Sequence, residues 1–208
     1  TRTSSSAASD VYKRQPNYPA RGDIASAKAL LDSAGIKPDA NGVRIRAILD
    51  LIPYGEDWRR AGEYLKQVLG DIGIKLELRY EDVPTWLKRI YHNYDFVMNV
   101  NYFYQLPDPV LGVHRHYGTD QIRKGTHFVN SSRYSNSELD ELLASGATEA
   151  NAQKRTQIYK KIQEILARDM PVVNLFELQF LTVYNTKLKG AYNSALGAYA
   201  SFSEAYLD

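Results

Sequence analysis

Residues 94–117 read YDFVMNVNYFYQLPDPVLGVHRHY, and the order of residue types in this stretch decides the fold. Its first part contains a nearly continuous apolar run from Phe96 to Val100, which is typical of a central strand buried on both faces. Pro107 and Pro109 then end the strand, because each proline removes an amide donor and fixes φ. The strand therefore ends in aromatic residues, and in an open α/β sheet ligands bind at that carboxyl end.

The sequence before this stretch alternates between helical and strand patterns. Apolar residues recur at helical spacing over residues 24–34 and 56–71, and a short helix begins at Pro84. Residues 44–52 and 74–80 alternate between apolar and polar side chains, as strands do. This order predicts an α/β fold in which a parallel sheet is flanked by helices and the carboxyl ends of its strands meet at one edge.

The sequence after this stretch is predicted to be mainly helical. Residues 118–135 are polar and show no period, after which Ser137 is expected to cap a helix. A longer helix covers residues 151–169 and is ended by Pro171. Residues 172–184 are again apolar and rich in residues that favour strands.

The composition indicates a globular chain of one core or one large lobe. Of its 208 residues, 44% are hydrophobic and 24% are charged. No apolar run approaches the roughly 18 residues of a membrane span, so no direct membrane span is expected. Cysteine is absent, which excludes disulfides, thiolate metal sites and thiol nucleophiles.

Residues 1–15 are polar, rich in serine and without a period, and we expect them to be a non-native or disordered leader outside the fold. They contain three of the 26 basic residues and one of the 24 acidic residues, so the remaining chain is formally neutral. A neutral domain lacks the basic surface that a nucleic-acid partner requires. We therefore expect no nucleic-acid partner.

Five residues near the predicted strand ends are candidates for ligand contact, namely Tyr54, Tyr102, Tyr104, Gln105 and Arg115. Strand alternation directs Tyr102 and Tyr104 to one side and Phe103 to the other, and the alternative role for the tyrosines is packing under the helices. Gln105 could instead cap the proline turn. Arg115 could hold a ligand carboxylate with two hydrogen bonds, or it could be solvated or salt-bridged.

Structural roles explain several other polar residues better than catalytic or metal-binding roles do. Glu81 and Asp82 precede Val83 and Pro84, where carboxylates favour capping the next helix, and Asp108 is expected to cap the proline turn. His114 and His116 flank Arg115, but His-x-His without a third ligand is a weak metal motif. No phosphate-binding loop or nucleophile motif is present, so neither a cofactor nor a metal is expected.

Several segments occur in an order that is specific as a set. They are AKALL at 27–31, AG at 34–35, YL at 64–65, GI at 73–74, PDP at 107–109, YSN at 134–136, DELL at 140–143, RTQIY at 155–159 and DMP at 169–171. From residue 16 onward this order resembles the extracellular solute-binding proteins of family 5, the peptide- and nickel-type receptors of ABC importers.

The resemblance implies a truncated, periplasmic-binding-protein-like (type II) lobe with a parallel-rich mixed sheet flanked by helices. Because the family is typically more than twice as long, the chain is expected to be its C-terminal portion. Residues 16–184 would form the ligand-binding lobe, and residues 185–208 would return toward a missing N-terminal lobe. A full member closes two lobes on its ligand by a hinge.

The resemblance also implies a function without bond making or breaking: capture of a small-molecule or oligopeptide ligand and its delivery to ABC transporter permease subunits. The expected location is the periplasm or the exterior of the cell envelope, with the signal sequence outside this piece. Tyr102 matches a large aromatic residue that often lines the family's pocket. Gln105 takes the place of the aspartate that pairs with the amino terminus of bound peptides.

A neutral amide cannot form the charge-assisted bond that a carboxylate forms with an ammonium group. An amide-, hydroxyl- or carboxylate-bearing ligand therefore fits Gln105 better than a free amine does. Two other functions remain open: a hydrolase that uses Glu81, Asp82 or His114 at the same edge, and a binding module with a signalling partner.

Overall fold

The computed structural model describes residues 22–103, 108–176, 183–191 and 201–208. The chain divides into two compact units, Thr1–Pro171 and Val172–Asp208. The first unit contains a parallel sheet with its helices, and the second contains a short antiparallel pair of strands.

The sheet of the first unit has three strands in the order β2-β1-β3, namely β1 (Ile45–Leu51), β2 (Ile74–Arg79) and β3 (Met98–Val100). Both pairings are parallel, as the sequence predicts, with Ile45 opposite Ile74 and Leu51 opposite Val100. The prediction that β3 is central and buried on both faces is wrong for the described residues. β1 is the middle strand, and β3 pairs with β1 on one side only. Val97, just before the three-residue β3, is 71% exposed.

Three helices accompany these strands: α1 (Ile24–Ser33), α2 (Glu56–Gly70) and α3 (Val83–Leu87). The cap of α1 is Asp23, whose carboxylate accepts a hydrogen bond from the backbone N–H of Ser26 at 2.9 Å. A π-helical turn, Lys88–Asn93, continues α3 and ends at Tyr94 in the left-handed conformation. All three helices lie where the sequence patterns predict them.

The contact of α2 with the sheet depends on Gly62. This buried glycine lies so close to β1 that an added Cβ would approach Leu51 Cδ1 to 2.4 Å. The resulting core buries large apolar side chains from the sheet, α2 and the segment after β2, including Leu49, Leu51, Ile52, Trp58, Trp86, Ile90 and Tyr91. This core holds the carboxyl ends of β1 and β3 together.

The rest of the first unit is helical, with α4 (Val113–Tyr117), α5 (Ser137–Thr148) and α6 (Ala152–Asp169). Short 3₁₀ turns, Pro109–Leu111 and Thr119–Gln121, flank α4. Helices α5 and α6 share a second core that buries Leu139, Leu143, Tyr159, Ile162 and Ile165. The cap of α5 is Asn136 and not Ser137, because the Asn136 side chain accepts from the Leu139 N–H.

The second unit pairs β4 (Leu188–Lys189) with β5 (Tyr206–Leu207) in antiparallel orientation. Among the described strands, parallel and antiparallel pairing thus occur in separate sheets. Of the strand-rich segment 172–184, the described residues 172–176 and 183–184 contain no strand, and residues 177–182 lie outside the described part. Within the described ranges, no helix combines the length and apolarity needed to cross a membrane.

Candidate functional site

The carboxyl ends of β1 and β3 meet in a cluster of three aromatic side chains. The ring of Tyr54, after β1, lies edge-on to the ring of Tyr102, after β3, with centroids 5.9 Å apart. On α2, Trp58 stacks on Tyr102 at 5.5 Å. We call Tyr54, Trp58 and Tyr102 the aromatic edge; Tyr54 is 41% exposed and Trp58 is buried. The structure thus brings together two of the ligand-contact candidates.

Asn101 fixes the backbone at this edge. Its side-chain amide donates to the Tyr91 hydroxyl at 2.6 Å, and its side-chain oxygen accepts from the backbone N–H of Tyr102 at 2.8 Å. The buried Tyr91 is therefore connected to Tyr102 through one amide group. Sequence reasoning missed Asn101 and Tyr91 and predicted residue 58 only as part of the helix over residues 56–71, although a polar residue directly after a strand was a usable signal for Asn101.

The environment of Tyr91 keeps its phenol protonated. Burial raises the pKa of Tyr91 to about 12. The hydrogen bond from Asn101, the backbone N–H of Phe128 and the positive charge of Arg115 act in the opposite direction. The hydroxyl is thus a neutral group with Arg115 in its electrostatic surroundings.

Arg115, on α4, is half-buried. Its Nε atom is buried without a hydrogen-bond partner. None of the ion pairs found in the described part of the chain includes Arg115, so the salt-bridged alternative is not seen there. The remaining two candidates, Tyr104 and Gln105, lie outside the described residues, and their role stays a prediction.

His114 and His116 have separate environments. His114 Nε2 lies 2.9 Å from the Asp120 carboxylate. His116 is only 3% exposed, its ring lies 3.7 Å from the Phe103 ring, and neither of its nitrogens has a hydrogen-bond partner. Burial, helped by the charge of Arg115, lowers the pKa of His116 to about 3. Over the described ranges no three histidine, cysteine or acidic side chains are grouped as metal ligands.

A second group of polar residues near the ends of β1 and β2 forms an ion cluster, which consists of Asp50, Arg79, Glu81, Arg89 and Asp95. Fully buried Asp50 accepts two hydrogen bonds from Arg79, at 2.6 and 2.8 Å. Arg89 pairs with Glu81 at 2.6 Å and also with Asp95. The hydrogen bond from Arg89 lowers the pKa of Glu81 despite partial burial. Glu81 is therefore an ionised structural partner, which is unsuited to taking up protons near neutral pH.

Asp82 and Asp108 act as the caps that the sequence predicts. Asp82 accepts from the backbone N–H of Thr85 at 2.8 Å and begins α3. Asp108 accepts from the Val110 N–H at 2.9 Å, and it also pairs with Arg155 of α6 at 2.6 Å. With Asp82 capping, Glu81 paired and His114 beside Asp120, the hydrolase alternative has no support.

The sequence matches known proteins over most of its length. A family described as bacterial extracellular solute-binding proteins, family 5 Middle, matches residues 1–123. This range includes the first 15 residues, whose origin stays a prediction. The peptide transport periplasmic protein SapA of Haemophilus influenzae is 24% identical over 151 residues, which are 71% of this chain and 26% of that protein.

Solved structures share the fold. AppA from Clostridium difficile superimposes with a TM-score of 0.72 at 26% identity, over 90% of this chain and 37% of AppA. An oligopeptide-binding protein of an ABC transporter from Thermotoga maritima, solved with bound mannohexaose, gives a TM-score of 0.65 at 23% identity, over 78% and 32% of the two chains. The predicted periplasmic-binding-protein-like α/β fold is thereby confirmed.

The chain spans about a quarter to a third of the length of the curated relatives it matches. The family match covers more than half of the chain, and its range contains the whole parallel sheet and the aromatic edge. This chain belongs to the bacterial extracellular solute-binding proteins of family 5.

Proposed function

We propose that this chain provides a ligand-binding lobe of an ABC-importer solute-binding protein. The protein captures a small polar or peptide-like solute and delivers it to membrane permease subunits without chemical change. The observation that carries this proposal is the aromatic edge, in which Tyr54 and Tyr102 meet at the carboxyl ends of neighbouring parallel strands. That position is where open α/β sheets bind ligands.

The chemistry of the aromatic edge suits a flat or ring-shaped polar ligand. Tyrosine rings offer apolar area for stacking, and their hydroxyl groups offer hydrogen bonds. The relative SapA is named for peptide transport, and a mannohexaose is bound in a structure of the same fold. Peptide amide planes and sugar rings both match such a surface.

In this proposal, ligand capture requires a second lobe in addition to the ligand-binding lobe of this chain. Residues 16–184 form the ligand-binding lobe and residues 185–208 lead toward a second lobe, which closes over the ligand by a hinge. We infer that the protein is located in the periplasm or at the exterior of the cell envelope, because the relative SapA is named a periplasmic protein. Family membership supports this proposal.

Tryptophan fluorescence tests the proposal on the intact binding protein that contains this chain. The chain has two tryptophans: Trp58 stacks on Tyr102, whereas Trp86 lies in the core beside Tyr91. Trialanine and mannohexaose serve as probes. Binding of either should change the emission of the wild type and of Trp86→Phe by a similar amount and that of Trp58→Phe by less, and mass spectrometry should recover the probe unchanged.

Two outcomes would contradict the proposal. Conversion of a bound probe into a product would identify an enzyme. An emission change that survives in Trp58→Phe and is lost in Trp86→Phe would place the ligand away from the aromatic edge.

A further inference from the structure

The half-buried arginines of the described residues separate into two kinds. Four of the five have a carboxylate oxygen within 2.6 Å: Arg44 with Asp32, Arg79 with Asp50, Arg89 with Glu81 and Arg155 with Asp108. The fifth is Arg115, for which the same residues provide neither an ion pair nor a hydrogen bond. Within the described ranges, every half-buried arginine except Arg115 is thus paired with a carboxylate.

The missing partner is energetically significant. A guanidinium group keeps its charge at any physiological pH and has five N–H donors. A buried donor without an acceptor costs free energy, and more so when the group is charged. The Nε atom of Arg115 is such a donor. An acceptor supplied from outside the described residues would remove this cost.

The titratable residues nearest to Arg115 in the sequence do not compensate its charge. The neighbouring His116 is neutral, since burial lowers its pKa to about 3. Asp108 is occupied by Arg155, and Asp120 accepts from His114 and Gln121. An anion that reaches Arg115 would therefore meet no competing carboxylate among these neighbours.

Arg115 also belongs to the surroundings of the candidate site. Its positive charge acts on the hydroxyl of Tyr91, which is bonded to Asn101 and through it to Tyr102. The adjacent His116 stacks on Phe103, the residue after Tyr102. Helix α4, which carries Arg115, therefore approaches the segment that follows β3.

We propose that Arg115 binds a carboxylate of the captured solute and makes this protein selective for carboxylate-bearing solutes. This inference rests on the proposed function. A carboxylate is the matching group because its two oxygens accept two parallel N–H bonds from the planar guanidinium. Arg115 is then the residue that distinguishes an acid from its amide, whereas the aromatic edge contacts both.

Protein stability tests the unpaired state of Arg115 without any knowledge of the solute. Arg115→Gln and Arg155→Gln remove the same charge from two half-buried helical positions of the intact protein. Without solute, Arg115→Gln should leave the urea midpoint unchanged or raise it, because no ion pair is lost. Arg155→Gln should lower the midpoint, because it leaves Asp108 without its partner.

Binding tests the selectivity. A pool of tripeptides is offered to the intact protein both as free acids and with amidated C-termini, and mass spectrometry quantifies what is retained. The wild type should prefer the free acids by about tenfold, in line with the strength of charge-assisted hydrogen bonds. Arg115→Gln should retain both forms equally, and Arg115→Lys should restore part of the preference.

Two results would overturn the inference: an equal loss of stability in the two glutamine variants, or an acid preference that is unchanged in Arg115→Gln. Equal retention of acids and amides by the wild type would also overturn it while leaving the proposed function intact. If neither pool is retained, the proposed capture of peptide-like solutes fails, and the stability comparison still decides whether Arg115 is unpaired.

Discussion

The ion cluster and the aromatic edge both lie near the carboxyl ends of strands of the same sheet. They differ in whether the polar groups are paired within the protein. In the ion cluster, Asp50, Glu81 and Asp95 all pair with Arg79 or Arg89. In the aromatic edge Tyr54 is exposed, and on α4 Arg115 has a buried donor without a partner among the described residues. Charges that are satisfied internally support the fold, whereas unsatisfied groups and exposed rings are available to a ligand.

The largest expected effect is on stability, at the centre of the ion cluster. Asp50 is fully buried and accepts two hydrogen bonds from Arg79. The substitution Asp50→Asn removes its negative charge. The free energy of unfolding should fall by about 3–5 kcal/mol, because a buried charge loses its partner. Urea denaturation measures it, with the exposed Glu77→Gln on β2 as the control. A loss equal to that of the control would show that the cluster is not structural.

The second effect is a pH dependence next to the aromatic edge. The pKa of His116 is about 3 in the folded protein, below its ordinary value of 6.5. The unfolded state therefore binds more protons between these values, and the free energy of unfolding falls as the pH falls below 6.5. The slope approaches about 1.4 kcal/mol per pH unit.

Denaturation between pH 6.5 and 4.5 isolates this contribution, because most carboxylates have not yet taken up protons there. His116→Phe keeps a ring against Phe103 and should remove the slope. A slope of the same size in this variant would assign the pH dependence to other groups.

The third effect concerns binding at the ends of two neighbouring strands. Tyr102 follows β3 in the aromatic edge, whereas Tyr80 follows β2 and contacts Arg59 by a cation–π interaction at 4.6 Å. Tyr102→Ala should weaken trialanine binding by about 1–2 kcal/mol, the usual loss for an aromatic contact residue. Tyr80→Ala should leave the affinity unchanged in isothermal titration calorimetry. Equal losses would mean that the two strand ends do not differ in function.

The smallest effect is on ligand preference at residue 105. Gln105→Asp provides a carboxylate for an ammonium group, so the ratio of affinities for trialanine and N-acetyl-trialanine should rise about tenfold. Gln67→Asp makes the same change on the exposed surface of α2 and serves as the control. A ratio that stays constant in both variants would remove residue 105 from the site.

The elements of the first unit could be predicted because their patterns are local. The alternation in residues 74–80 and the apolar stripe of residues 56–71 are properties of one strand and one helix, and both elements form at those places. The position of β1 in the middle of the sheet could not be predicted in this way. Strand order depends on pairing between segments that are distant in the chain.

The same limit applies to the site. Tyr54 and Tyr102 could be brought together by reasoning about strand ends, since parallel strands end at a common edge. The stacking of Trp58 on Tyr102 depends on how α2 packs over β1 at Gly62, and no pattern within the helix encodes that contact. Whether Arg115 is paired likewise depends on which carboxylates form ion pairs with the other arginines in the folded chain.

The π-helical turn Lys88–Asn93 makes the position of one hydroxyl group sensitive to chain length. A π turn contains one residue more than an α turn, and buried Tyr91 lies within it. Deleting one residue there would restore α-helical spacing and rotate the preceding residues by about 100° relative to the following ones. Tyr91 would then no longer meet Asn101, although every strand of the sheet would be retained. Insertions and deletions in this turn are therefore a route by which a binding edge can be reshaped while the sheet that supports it is conserved.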